Sequence, residues 1–353
     1  MARMDEDCAT PALSVIVPAR NAAATLPQCL DALTLQAAAA PFPVEVIVVD
    51  DCSTDETAEV ASRYDVASSR DFRSIKLPRH LGPSTARNRG AELARAPVLF
   101  FLDADVVLAP GALERGAAAI ARSGVGAVIG SYDDDPAARS TVSRFKNLAH
   151  HYFHQRSRAA ATTFWSGCGL VRRDVFVAAG RFDEDRRAVE DVELGYRMVA
   201  QGVQIMLDPS LQVKHLKRWT LRSLVATDVM GRAIPWTLLW LEGRRLPPDL
   251  NFSADQRVAA VVALALAISI VAAPFLSAVW LLVGALSVLG LWLNRGLYRL
   301  LLSKGGFRFA IKGFILQQLY YLYSIFGLAA GTAIFVARSF TRRIEAVLRR
   351  AGA

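Results

Sequence analysis

The residues with the most chemistry to offer are Asp103 and Asp105, in the stretch VLFFLDADVV from Val98 to Val107. An apolar run of strand type, Val98 to Leu102, stops at Asp103, and one alanine later comes the second carboxylate. Side chains along an extended chain alternate between faces, so Asp103 and Asp105 fall on one side. Two carboxylates held side by side repel unless a cation lies between them, and hard oxygen ligands suit Mg2+ or Mn2+ carrying phosphate oxygens. The pattern predicts a clamp for a metal diphosphate; the plainer alternative is a strand end running into a solvated turn. A second pair, Glu190-Asp191, precedes Leu194, Met198 and Val199 at helical spacing. That places both carboxylates at a helix start, where the dipole favours the ionised form a general base needs.

The elements that must position these carboxylates read as alternating strands and helices. Leu13 to Val17 is a continuous apolar strand ending at Pro18, followed by Arg20-Asn21 and by Leu26, Leu30 and Leu33 at helical spacing. Val44 to Val49 is a second buried strand, closing on Asp50-Asp51-Cys52-Ser53-Thr54-Asp55. Such alternation means a doubly wound α/β domain, in which ligands gather at the carboxyl ends of the strands. Asp51 stands at such an end, and its carboxylate, which only accepts, suits the ring N–H of a nucleotide base. Ser53 and Thr54 are natural caps for the helix that follows. A short strand near Ser74 to Leu77 leads to LGPSTARNRG, where Ser84 is placed to cap a helix. Its first turn presents Arg87 toward the same cleft, a guanidinium able to hold phosphate with two N–H groups, unless it is an exposed helix charge. Gly126 to Ser131 reads as another strand, and the acidic turn from Tyr132 to Pro136 as solvated loop. In Phe164-Trp165-Ser166-Gly167-Cys168-Gly169, glycines beside an aromatic imply either backbone passing close to a flat ligand or a simple turn.

The succession LSVIVPARN, VIVVDDCSTDET, ARNRGAELA and VLFFLDADV resembles the N-terminal half of family 2 glycosyltransferases, inverting enzymes with a GT-A fold. The resemblance covers residues 12 to 220 or so. It implies a nucleotide-sugar donor, with Pro18, Arg20, Asn21, Asp51, Arg87 and Gly167 among the donor-binding residues. Asp103 and Asp105 would meet the sugar diphosphate and its Mg2+ or Mn2+, and Asp191 would be the general base with Glu190 as its neighbour. His215-Leu216-Lys217-Arg218-Trp219, just past a strand-like Gln204 to Leu207, resembles the Gln-x-x-Arg-Trp signature of membrane-bound synthases and lipid glucosyltransferases, with His215 in place of Gln. By that resemblance Arg218 neutralises the leaving diphosphate and Trp219 stacks on acceptor or sugar. An aromatic-basic anchor at a membrane surface is the other reading. The same features are similar to those of lipid or polyprenyl glycosyltransferases and ceramide-glucosyltransferase-like enzymes.

Composition places the rest. Of 353 residues, 53% are hydrophobic, above the usual globular share, and the excess lies after Arg257, where no charge occurs from Val258 to Asn294. Such a length reads as membrane. The net charge of +9 concentrates beside the apolar segments, as the positive-inside rule and anionic headgroups favour, rather than in a stripe suited to nucleic acid. The expected organisation is a tail at 1–12, an α/β GT-A (Rossmann-like) domain at 13–219, interfacial amphipathic helices at 220–250 ended by Pro247-Pro248, a transmembrane region at 256–337 and a basic tail at 338–353. Three spans are expected near 257–274, 275–293 and 313–337, with Arg295, Arg299, Lys304, Arg308 and Lys312 in a cytoplasmic loop. A third crossing sets Arg338 and Arg342 against the positive-inside bias. Four cysteines without a C-x-x-C pair, and an acidic start without an apolar h-region, put the catalytic domain on the cytoplasmic face of the cytoplasmic membrane. The expected function is sugar transfer to a lipid or membrane-proximal acceptor, with no nucleic-acid partner. A polysaccharide synthase that extrudes its product, or a non-catalytic membrane scaffold keeping the fold, are the rival readings.

Overall fold

The structure, a computed structural model, describes residues 10–67, 71–243 and 254–351. Cys8, Pro247 and Pro248 lie outside the described residues. The chain divides into two compact units, Met1–Ala138 with Phe153–Lys217, and Arg139–Tyr152 with Arg218–Ala353. Residues 139–152 thus group with the second unit, although in sequence they lie inside the span assigned to the first domain.

In chain order the first unit begins with β1 (Leu13–Ala19), α1 (Leu26–Ala39), β2 (Val44–Asp50), α2 (Thr57–Ala67), β3 (Phe72–Lys76), α3 (Pro83–Leu93), β4 (Val98–Leu102), β5 (Val106–Leu108), α4 (Ala112–Ile120) and β6 (Val125–Tyr132). After α5 (Thr141–Arg156) come β7 (Ala160–Ala161), β8 (Cys168–Arg172), α6 (Arg173–Ala178), α7 (Glu190–Ala200) and β9 (Gln204–His215). Among the described residues nine strands form one sheet in the order β3-β2-β1-β4-β8-β6-β9-β5, with β7 beside β9. β1, β2 and β4 are parallel and almost wholly buried, which is why their sequences are unbroken apolar runs. The doubly wound pattern expected from the sequence holds for β1 to β4 only. β8 enters antiparallel between β4 and β6, and β5 pairs antiparallel with β9, so the sheet is mixed. Leu26, Leu30 and Leu33 of α1 are buried as their spacing predicts. Phe101 anchors the core, edge-on to Phe164 and Phe182.

The second unit adds α8 (Leu221–Asp228), a π turn (Val229–Ala233), α9 (Ile234–Leu241), α10 (Ala254–Ala272), α11 (Val279–Leu293) and α12 (Arg295–Ala351). Thr220 and Ser223 close a capping box at the start of α8. Asp228 is buried and held by Lys146 at 2.9 Å, Arg232 at 2.7 Å and the Tyr323 hydroxyl at 2.7 Å. The Tyr321 hydroxyl reaches Gln256 at 2.8 Å and Asn294 at 2.9 Å, tying α10, the end of α11 and α12 together. Gly331 lets α12 approach α9, since a Cβ there would meet Thr237 at 2.7 Å.

Among the described residues two helices are, by length and composition, long and apolar enough to cross a membrane, Ala254–Ala272 and the 48-residue Arg295–Arg342. α11 has 15 residues, about 22 Å at 1.5 Å per residue, and starts four residues later than the second expected span. The charged stretch read as a loop is helix instead, broken at Gly306, whose φ of 73° only glycine adopts easily.

Candidate functional site

At the carboxyl ends of β1 and β2 two loops are stitched together. The Asn21 amide donates to the Ser53 hydroxyl at 2.9 Å, and the Thr54 amide donates back to Asn21 Oδ1 at 2.9 Å. Ala22 N–H reaches the Thr57 hydroxyl at 2.7 Å, and Asp55 accepts from both Ala23 and Thr57 amides, at 3.2 and 3.1 Å. Ser53 and Thr54 therefore fasten the β1 loop, and Asp55 rather than either of them closes the start of α2. The physical reason is that the turn at Asn21, with φ of 48°, takes the amides of residues 21 to 23 out of the strand ladder, and these side chains satisfy them. Arg20 is exposed and Pro18 half-buried beside it. Asp51 is 3% exposed; its Oδ1 accepts from Leu81 N–H at 2.7 Å, and its Oδ2 from Gly82 N–H at 2.9 Å and His80 Nδ1 at 2.7 Å.

Asp103 follows the last residue of β4, its amide donating to the Gly167 carbonyl at 3.2 Å. Arg87 is not an exposed helix charge. It is buried, with Nη2 on Asp103 Oδ1 at 3.0 Å and Nη1 on Glu190 Oε1 at 2.8 Å, and so cross-links the two carboxylate pairs. Its Nε has no partner among the described residues. Asp105 lies 3.5 Å from His215 Nε2, and the imidazole stacks on Tyr132 at 4.6 Å. His215 gets there because β9 does not stop at Leu207 but runs on to pair Val106 with His215. The signal was present in the alternation of Leu211, Val213 and His215, all buried on one face. Lys214 on the opposite face binds Asp133 at 2.9 Å and Asp135 at 2.8 Å, so the acidic turn is anchored rather than simply solvated.

These surroundings separate the two carboxylates. Burial and the charge of Asp105 push Asp103 above the usual carboxylate range against the pull of Arg87. Burial acts on Asp105 too, but the hydrogen bond and charge of His215 outweigh it and hold Asp105 low. No group of three or more His, Cys, Asp or Glu side chains is gathered as a metal cage among the described residues. A one-third-exposed Asp103 and Asp105 with an imidazole alongside nevertheless suit a Mg2+ or Mn2+ ion whose remaining positions are filled by phosphate oxygens. Asp103, Asp105 and His215 are the residues that would hold it.

The second pair is aimed by α3. Asn88 Nδ2 donates to the Phe182 carbonyl and to Glu184, both at 2.9 Å, and Thr85 donates to the other Glu184 oxygen at 2.9 Å. Ser84 does not cap α3, whose N-cap is Gly82 with φ of 100°. It is buried as the second residue of the helix, and its hydroxyl donates to Arg186 O at 3.3 Å. The segment so gripped ends at Val189, a β-branched residue at φ 53°, directly before Glu190. Asp191 then accepts from the Ser166 amide at 3.2 Å and hydroxyl at 3.3 Å. Burial first and the neighbouring Glu190 charge second push Asp191 up to about 6, outweighing the helix N-terminus that would favour ionisation. Between the pairs lies the turn at Gly167, where a Cβ would stand 2.9 Å from Asp103 Oδ2 and 2.8 Å from Trp165 Nε1. The glycine is required by the protein's own packing. Arg218 and Trp219 belong to the second unit: Arg218 is exposed, and Trp219 is buried with its amide donating to the Ser143 hydroxyl at 2.8 Å.

Residues 14–178 match the family described as Glycosyl transferase family 2. A validoxylamine A glucosyltransferase of Streptomyces hygroscopicus subsp. limoneus is 33% identical over 228 residues, 55% of this chain and 49% of that one. The glycosyltransferase AglE of Haloferax volcanii is 30% identical over 202 residues, 55% of this chain and 64% of that one. The chain spans about half the length of the curated relatives it matches. Among solved structures, the mannosyltransferase PcManGT from Pyrobaculum calidifontis, in complex with GDP-Man and Mn2+, shares the fold with a TM-score of 0.55 at 18% identity, over 90% of this chain and 87% of that one. The family match thus falls on residues 14–178, which hold Asp51, Arg87, Asp103, Asp105 and Gly167, and the solved neighbour shares a GT-A-like fold with this chain.

Proposed function

We propose that this chain is an inverting, metal-dependent glycosyltransferase that moves a sugar from a UDP- or GDP-sugar to a lipid or membrane-proximal acceptor. The observation that carries the reading is the meeting of two distant carboxylates across one turn: Asp103 against Gly167, and Asp191 on Ser166. In a single displacement the acceptor hydroxyl oxygen bonds to the anomeric carbon as the bond to the diphosphate oxygen breaks, and Asp191 takes the hydroxyl proton. A base with its pKa near 6 is ionised at neutral pH yet still basic enough to accept a proton in the transition state. A divalent ion at Asp103 and Asp105, when bound, supplies charge neutralisation for the departing diphosphate. Arg87 holds Asp103 and Glu190 at fixed separation, so donor clamp and base share one support. The names of the relatives and the GDP-Man and Mn2+ of the solved neighbour support the same reading.

The second unit supports the membrane half of the proposal. Val261, Ile268, Val271, Phe275, Leu281 and Phe307 are each more than 60% exposed, apolar surface that a bilayer would cover. With the basic residues beside these helices, the positive-inside bias favours a catalytic unit on the cytoplasmic face of the cytoplasmic membrane. The test uses protein purified in detergent, with Mn2+ or Mg2+, a panel of labelled sugar nucleotides and a membrane-lipid extract. The expected result is metal-dependent release of UDP or GDP from one donor, label in a lipid fraction, and loss of both in Asp103→Ala. Binding of nucleotide without turnover of any donor would leave a non-catalytic scaffold as the better account.

A further inference from the structure

We infer that α12 turns back on itself at Gly306 into a helical hairpin whose tip and returning arm dock on an anionic phospholipid surface, the cations on headgroup phosphates and an apolar stripe in the acyl layer. The inference rests on the membrane reading of the second unit and deepens it, giving this face one occupant.

The reversal is read from which residues meet. In a continuous helix Tyr298 and Phe314 would stand about 24 Å apart. Their ring centroids are 5.7 Å apart. Gln318 Nε2 donates to the Tyr298 hydroxyl at 3.4 Å, the Tyr321 hydroxyl donates to Asn294 Oδ1 at 2.9 Å, and a Cβ on Gly313 would run into Leu301. In these pairs one position advances as the other recedes, the register of two antiparallel arms joined at Gly305-Gly306. Gly306, at φ 73°, makes the turn. The start of α5 braces the tip: Arg144 donates to the Lys304 carbonyl at 2.6 Å and lies over the Phe309 ring at 4.3 Å.

The neighbouring helix pair differs in charge. α10 and α11 carry none from Val258 to Asn294, and they meet the base of the α12 hairpin where Gln256 Nε2 donates to Asn294 Oδ1 at 3.4 Å. The hairpin itself carries Arg295, Arg299, Lys304, Arg308 and Lys312, all exposed, and no Asp or Glu occurs between Asp255 and Glu345. So many cations keep it out of hydrocarbon. Water does not suit it either: Phe307 at the tip is 72% exposed, and the exposed Ile311 and Ile315 continue its stripe at helical spacing, with Arg308 and Lys312 in the next row. An apolar stripe beside a row of cations fits the boundary of acyl chains and headgroups, where Arg and Lys stems lie along the apolar layer and their charged ends reach phosphate. With no acidic residue among them, the headgroups selected are anionic.

The test places a bimane on Phe307→Cys of the full chain, in a Cys8→Ser, Cys52→Ser background, and in a separate sample on Leu281→Cys of α11. Both are reconstituted in nanodiscs of phosphatidylcholine, with and without phosphatidylglycerol, whose brominated acyl chains quench on contact. The Leu281 label reports the membrane reading and should be quenched in both lipids. The Phe307 label should be quenched with phosphatidylglycerol and released by about 1 M salt, which screens charge beyond about 3 Å. A cation near an anionic surface contributes about fivefold in partition, so Arg308→Gln with Lys312→Gln should weaken docking of the Phe307 label about twentyfold and leave the Leu281 label as it was. The inference is overturned if the Phe307 label stays unquenched, if it is shielded from water without quenching, which assigns the tip to another protein chain, or if phosphatidylcholine alone quenches it as strongly. If the Leu281 label is quenched in neither lipid, the membrane reading itself fails and this inference falls with it.

Discussion

Two carboxylates meet arginines at opposite ends of the same sheet, and they are finished differently. Glu45, at the start of β2, accepts from the Ser14 hydroxyl at 2.5 Å, from the Arg95 and Ala96 amides, and from Arg95 Nε at 3.0 Å. Asp103, just past the end of β4, has one arginine bond and a second carboxylate two residues on. Burial pushes both upward, but the donors around Glu45 outweigh it and hold that group low, whereas Asp103 stays high. The difference is one of saturation. A carboxylate whose oxygens are fully engaged is part of the scaffold; one left short of donors and beside a like charge is ready for a cation.

That contrast breaks most readily at the unsaturated end. Asp105→Asn removes the more acidic member of the pair and should lower kcat/KM by about 10²- to 10³-fold, with thermal stability little changed, as donor kinetics and a melting curve on the same preparation would show. Glu45→Gln is the converse: unfolding should become easier by about 2–4 kcal/mol because Arg95 and Ser14 lose a charged acceptor, while kcat per folded molecule stays at wild type. Urea titration followed by activity at low denaturant separates the two. Since the folded pKa of Glu45 lies below its unfolded value, its contribution is present above the unfolded pKa and is lost as pH falls through the folded one. The acid limb of stability should accordingly flatten in Glu45→Gln.

Smaller effects sharpen the comparison. Arg87→Lys keeps the charge but cannot span Asp103 and Glu190 with one ammonium, and kcat should fall by about tenfold with donor affinity less affected. The pH profile of kcat should bend near 6: below it Asp191 is protonated and cannot accept, so rate falls tenfold per unit, and above it the profile is flat.

Much of this arrangement is legible in one sequence. Val98 to Leu102 ends as a strand where its apolar run ends, and Asp103, Asp105 and Asp191 announce themselves by type and by position at element ends. What is not legible depends on approach between distant segments. Nothing in ARNRG says that Arg87 turns inward to two carboxylates, because both partners lie on other elements. Helix position argues for an ionised Asp191, and only burial beside Glu190 reverses the direction. Leu207 is followed by Asp208-Pro209, an ordinary strand stop, yet β9 carries on to His215 because β6 and β5 pair with its far half. The apolar helices read clearly by composition, but the length of α11 and the break at Gly306 are set by turns that hydropathy does not show.

The central claim divides labour between Asp103 with Asp105, which take the donor, and Asp191, which takes the proton. The most direct measurement is donor affinity and single-turnover rate on the same sample of Asp191→Asn beside wild type, with Mn2+ present. The account predicts affinity within about threefold of wild type and a rate lower by about 10³-fold or more. A rate close to wild type in Asp191→Asn, or a loss of donor binding equal to the loss of rate, would contradict it.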